Sequence, residues 1–200
     1  PNLARIVPEG AAADTTDVAD SISVTTITFH AGADSLKIPY FGNRPIEGTY
    51  ADVTRAIVVV HGTLRNADDY YKYVLDAGVS AGHAENTTLI IAPQFLTAPD
   101  LDQHGLPEDY AYWSYMGWRQ GDPSLTSAAH PRPAQLSSFA LTDSILLGLA
   151  ERLPNLEQMS VVPEPGAQCA QGSSYDRHSR YDAATGKYVG WDANGDGGGH

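Results

Sequence analysis

Cysteine, cations and long apolar runs are scarce in this sequence, and each scarcity removes a class of protein. A single cysteine, Cys169, among 200 residues excludes an intrachain disulfide framework and a cysteine-based zinc cluster. Twelve Lys and Arg stand against 24 Asp and Glu, a formal charge of −12, so neither nucleic acid nor an anionic membrane surface is an expected partner. No apolar run approaches the ~18 residues of a membrane span, and the chain is expected to be soluble. The seven histidines are scattered without ligand-like pairing, so no metal and no other cofactor is expected. The sequence opens at Pro1 without an apolar leader, as expected after removal of a secretory signal or where an end is missing. Compartment and oligomeric state are left open.

What is present suffices for a core, since 42% of residues are hydrophobic. Residues 1–20 are small, polar and acidic and read as a flexible lead-in. The β-branched run over 23–30 predicts a strand. A second strand is expected over 36–41, where Leu36, Ile38 and Tyr40 alternate and Pro39 pushes the strand toward an edge. Over 56–60 the run Ala-Ile-Val-Val-Val has the continuous aliphatic character of a strand buried on both faces of a parallel sheet. Asn66 then caps an expected helix with Asp68 and Asp69 in its first turn, a stripe of Tyr71, Val74 and Leu75, and Gly82 as its stop. Residues 88–92 repeat the buried-strand pattern. After a long irregular stretch, Ser137 opens a helix with the stripe Leu141, Ile145, Leu146, Leu149 and Leu153, closed by Pro154. Residues 157–162 begin one more strand. The order β-β-β-α-β-α-β predicts an open α/β sheet with crossover helices.

Chemistry is expected first at His61-Gly62-Thr63-Leu64, where the buried strand ends and turns toward a helix. A glycine lets the backbone turn there, and amides just beyond it can face negative charge developing on an acyl intermediate. The segments AIVVVHGTLRNADDYYKYVLDAG, LIIAPQFL, YWSYMGWRQGD and SSFALTDSILLGLAERLPNL, in this order, resemble a family of bacterial and fungal α/β-hydrolases, mostly serine hydrolases. The resemblance covers about 20–162. It implies a partial α/β-hydrolase sheet, an oxyanion role for the Thr63 and Leu64 amides, and a small ester or sugar-like substrate in a complete relative. It also implies a nucleophile elbow, Gly-His-Ser-x-Gly, directly after the strand ending at Val162. The sequence has Pro163-Glu164-Pro165-Gly166-Ala167 there, and two prolines and no serine cannot build that turn. The expectation is the oxyanion half of an esterase-type serine hydrolase, inactive as it stands. The strand at 157–162 would then have no parallel neighbour beyond it, predicting an aggregation-prone edge and marginal stability.

Other motifs carry weaker signals. Gly78-Val79-Ser80-Ala81-Gly82 spells Gly-x-Ser-x-Gly, yet it ends a helix and precedes a strand, the reverse of an elbow. Five aromatics fall within 110–118. Trp113 and Trp118 are the candidate substrate-binding residues of a loop over the site, or of a non-catalytic carbohydrate-binding module. The alternative is a long loop pinned by its own aromatics. Asn86-Thr87-Thr88 has the form of a glycosylation acceptor but reads as a turn before a strand, and Asp176 and His178 read as surface residues. Asp192-Ala193-Asn194-Gly195-Asp196-Gly197 has the first half of a calcium loop without the second. Residues 163–200 read as an irregular Gly- and Asp-rich tail. Within it, Ser173-Ser174-Tyr175-Asp176-Arg177 and Asn194-Gly195-Asp196-Gly197 are similar to the start of a glycosidase family acting on difructose dianhydrides and related furanosides. Two resemblances meeting at Pro163 predict a composite of two proteins, with a natural truncation as the alternative.

Overall fold

A computed structural model describes residues 18–31, 33–83, 85–162, 180–182 and 187–189. The chain forms a mixed α/β structure around one seven-stranded sheet. β1 (Thr26–Ala31) and β2 (Asp34–Gly42) form an antiparallel hairpin, and β3 (Arg55–Val59) leads through α1 (Ala67–Ser80) to β4 (Thr88–Pro93). The connection onward holds β5 (Leu96–Thr97), α2 (Ala98–His104), β6 (Tyr112–Trp113) and α3 (Gly117–Gln120). α4 (Ser138–Arg152) then delivers β7 (Gln158–Val162), followed by β8 (Arg180–Asp182) and β9 (Lys187–Val189). The sheet order is β1-β2-β4-β3-β7-β8-β9, and β5 and β6 form a separate parallel pair.

The central strands β4, β3 and β7 are parallel. Alternation along them divides the core. Ile57, Val59, Ile90 and Ala92 pack with Ala67, Tyr71, Val74 and Leu75 of α1. Their neighbours Ala56, Val58, Leu89, Ile91 and Met159 pack with Leu141, Ile145, Leu146 and Leu149 of α4. The crossover from β3 goes to one side, to β4, while the crossover into β7 arrives on the other side. Helices on opposite faces are what right-handed crossovers require when the direction reverses. The carboxyl ends of β3 and β7 therefore lie at a topological switch point, where open α/β sheets form their crevices.

Several expectations change. Pro39 does not place β2 at an edge: β1 pairs with residues 34–39 and β4 with residues 40–42. The proline sits where one partner hands over to the other, and its carbonyl accepts from the Gln94 amide at 2.8 Å. The irregular stretch after β4 contains two short helices and a strand pair. The expected irregular tail contains β8 and β9, and β8 pairs antiparallel with β7 at Met159 and Ser160, so that side of β7 is not left bare. The lead-in is anchored at its end, where Ala19 is buried and its amide donates to Asp100 Oδ1 at 2.8 Å. Cys169, the boundary at Pro163, the Asp176 and His178 pair, the calcium-like loop and the tail motifs similar to the glycosidase family lie outside the described residues.

Candidate active site

Val60 continues the β3 ladder by donating to Val162 O at 2.9 Å, and the loop starts at His61. His61 is fully buried. Its Nε2 accepts from the Phe95 amide at 2.9 Å, which leaves the proton on Nδ1, and Nδ1–H donates to Gly62 O at 2.8 Å. Burial drives its pKa down to about 4, against the opposing effect of the Gly62 bond and with the Arg65 charge adding to the depression. A neutral imidazole with both nitrogens engaged is a scaffold for the loop and has no lone pair left for general-base work.

The turn itself runs from Gly62 to Arg65, whose amide donates to Gly62 O at 3.0 Å. Gly62 was the residue expected to permit it. The left-handed residue is instead Arg65, with φ of 57°, a conformation that costs a non-glycine residue about 1–2 kcal/mol. Such strain persists only where the surroundings impose it, and here they do. The Arg65 side chain is fully buried: Nε donates to Asp100 Oδ2 at 2.8 Å and Nη1 to Thr63 O at 2.7 Å. Asp100 is equally buried and also accepts from the Thr97 amide and hydroxyl at 2.6 and 2.8 Å. Gln94 adds a further tie by donating to Arg65 O at 2.9 Å.

This framework determines where the loop amides face. A trans peptide is planar, with its C=O and N–H on opposite sides, and no peptide bond in the described chain is cis. The Gly62 carbonyl is held by His61 Nδ1, and the Thr63 carbonyl by the Arg65 guanidinium. The N–H groups of those two peptides belong to Thr63 and Leu64, and they point away from these buried donors. Among the described residues neither amide has an acceptor. Thr63 is half-buried and Leu64 is 58% exposed. Two successive unpaired amides beside a partly open surface can receive an anionic oxygen.

The other candidates fall elsewhere. Trp113 and Trp118 were expected to face a substrate, but they are 1% and 4% exposed. Trp118 stacks on Phe95 with ring centroids 5.5 Å apart and lies 4.6 Å from the His61 ring. Trp113 meets Phe95 edge-on and donates from Nε1 to Asp122 O at 3.0 Å. With both rings closed into the core, neither offers a stacking face. Trp118 packs against the His61 ring and Trp113 against Phe95, as in the pinned-loop alternative for this stretch. Ser80 of the Gly-x-Ser-x-Gly string is exposed at the end of α1. There the Gly82 amide donates to Val79 O and the His83 amide to Gly78 O, the double closure of a Schellman motif.

Arg65 and Asp100 went unnoticed in the sequence. Asp100 had a signal: Thr97-Ala98-Pro99-Asp100 has the spacing of a capping box with proline in the first helical turn. Arg65 had none, because nothing local marks a surface-type residue as buried 35 positions from its counter-charge. Among the described residues, no three His, Cys, Asp or Glu side chains converge as a metal site, and no helix is long and apolar enough to cross a membrane.

No protein-family model and no curated protein matches the chain. A solved structure of poly(aspartic acid) hydrolase-1 from Sphingomonas sp. KT-1 is similar at 19% identity and a TM-score of 0.35, with 72% of this chain covered. The chain spans about half of that protein, 47% of its length.

Proposed function

We propose that the carboxyl end of β3 is the oxyanion-binding half of an acyl-hydrolase site of the α/β-hydrolase type. The Thr63 and Leu64 amides would stabilise the negative oxygen that forms when a nucleophile adds to the carbonyl of a small ester. The observation that supports this reading is the pair of peptides whose carbonyls are tied back to His61 and Arg65, leaving their amides without acceptors among the described residues. Preorganised donors of this kind act where charge develops and need no rearrangement when it does. The position at a switch point of the sheet agrees with it. A serine nucleophile would belong directly after β7, where the sequence has Pro163-Glu164-Pro165, so the chain as it stands is proposed to bind an oxyanion mimic without turning over an ester.

The test is a titration of the isotopically labelled full chain with phenylphosphonate, a tetrahedral anion, followed amide by amide. Localised shifts at Thr63 and Leu64 are expected. A flat titration, or shifts centred elsewhere, would remove the reading. A serine-directed fluorophosphonate should leave the protein unlabelled, and stoichiometric labelling would overturn the proposed inactivity.

A further inference from the structure

The two loop peptides are not held alike. Behind the Thr63 amide, the Gly62 carbonyl accepts from two uncharged donors, the neutral His61 imidazole at 2.8 Å, whose Nε2 is occupied by the Phe95 amide, and the Arg65 amide at 3.0 Å. The donor behind the Leu64 amide is the Arg65 guanidinium, a full positive charge 2.7 Å from the carbonyl of the same peptide. A peptide is a conjugated unit. A cation bonded to its oxygen draws electron density through the C–N bond and makes the N–H on the far side a stronger donor. Charge-assisted hydrogen bonds are roughly twice as strong as neutral ones.

We infer that Arg65 is a positioning residue that polarises the Thr63–Leu64 peptide, making Leu64 N–H the stronger of the two oxyanion donors. The inference rests on the proposed oxyanion reading and adds an inequality that the reading does not contain. Arg65 never touches the anion. Its charge reaches the anion through one peptide group, while Asp100 neutralises that charge on the buried side at 2.8 Å and keeps the guanidinium stable in a dry site. The left-handed backbone at Arg65 (φ 57°) brings the side chain back under its own loop, so that Nη1 reaches a carbonyl only two residues upstream. Lysine cannot replace this arrangement, since an ammonium lacks the planar fork that serves Asp100 and the Thr63 carbonyl together.

The test uses the same labelled full chain and phenylphosphonate, comparing the wild type with Arg65→Lys. In the wild type the anion-induced shift at saturation should be larger at Leu64 than at Thr63. In Arg65→Lys the Leu64 response should fall to about half, with the Thr63 response retained. A clamp that only shapes the loop would lower both responses together, and that result would overturn the inference. So would an equal or larger Thr63 response in the wild type, even though the oxyanion reading would survive it. No response at either wild-type amide overturns both. If Arg65→Lys does not fold, the wild-type inequality decides alone, supported by a Thr63 carbonyl carbon resonance displaced in the direction of a strongly hydrogen-bonded carbonyl.

Discussion

Two short glycine-bearing segments, 62–66 after β3 and 78–82 at the end of α1, treat their backbone polar groups in opposite ways. At the helix end the Gly82 and His83 amides are both satisfied by the preceding turn, and the left-handed residue is a glycine with φ of 78°. After β3 the left-handed residue is an arginine, the carbonyls are bound from within, and two amides have no acceptor among the described residues. The first segment closes a helix at little cost. The second carries a strained left-handed residue and a buried ion pair. By letters alone the first looks catalytic, with its Gly-x-Ser-x-Gly. By bonding, the amides of the first are spent, and two of the second have no acceptor among the described residues.

Breaking the comparison most severely means removing what forces the strained turn. Asp100→Asn removes the carboxylate charge 2.8 Å from the buried Arg65 guanidinium, and breaking a buried pair in this way costs about 3–5 kcal/mol. The expected result is a large drop in the urea midpoint with little change in slope. A midpoint within error of the wild type would show that the loop is held by something other than this pair.

The next effect comes from His61. Its folded pKa of about 4 lies below the ordinary value of 6.5. Above pH 6.5 both folded and unfolded forms are neutral there, and the residue adds no pH dependence. Between 6.5 and 4 the unfolded chain takes up a proton that the folded chain refuses, so stability falls with falling pH. The full loss is about 3 kcal/mol, and it saturates below pH 4. Denaturation midpoints across this window should follow that slope, and His61→Asn should flatten it. An equally steep slope in the variant would assign the dependence to carboxylates instead.

Much of the fold was legible because local patterns and tertiary packing agree. The stripe Leu141, Ile145, Leu146, Leu149 and Leu153 is buried as a set, and Ser137 caps its helix by accepting from the Ala140 amide. The strands at 56–60 and 88–92 are where their aliphatic runs placed them, within a residue. Asn66 was half right: it precedes α1, but its side-chain amide donates to Asp69 Oδ2 and does not cap the helix. The candidate site was legible only as an address. The strand end at His61-Gly62 marks the place, yet the bonds that orient the amides come from Arg65, Asp100 and Phe95, which converge only in three dimensions. The aromatics at 110–118 misled for a related reason. A cluster of rings outside long elements looks available, but Phe95, distant in sequence from Trp113 and Trp118, closes over both.

A smaller effect separates the two glycines of the helix end. Gly82 has φ of 78°, and an added Cβ there meets nothing within 4 Å, so Gly82→Ala suffers only the left-handed penalty of about 1–2 kcal/mol. Gly78 is within α1 with equally open space and no left-handed backbone, so Gly78→Ala should stabilise by roughly 0.5–1 kcal/mol. Opposite signs in thermal melts would sharpen the contrast. Matching signs would mean the helix ends differently in solution.

The smallest effect decides between letters and context. Ser80 is an exposed residue in the last turn of α1, and a surface substitution there should change stability by no more than about 0.5 kcal/mol. Ser80→Ala should also leave the phenylphosphonate response of Thr63 and Leu64 untouched, because the two segments lie at opposite ends of α1 and share none of the bonds that hold the β3 loop. A nucleophilic serine would behave otherwise. Its loss would abolish fluorophosphonate labelling seen in the wild type, and the anion would shift amides around residue 80. That outcome would return the chemistry to the Gly-x-Ser-x-Gly string and strip the β3 loop of its proposed role. The closed hydrogen bonding of the helix end argues against it, since the Ala81, Gly82 and His83 amides there are already spent on the chain itself.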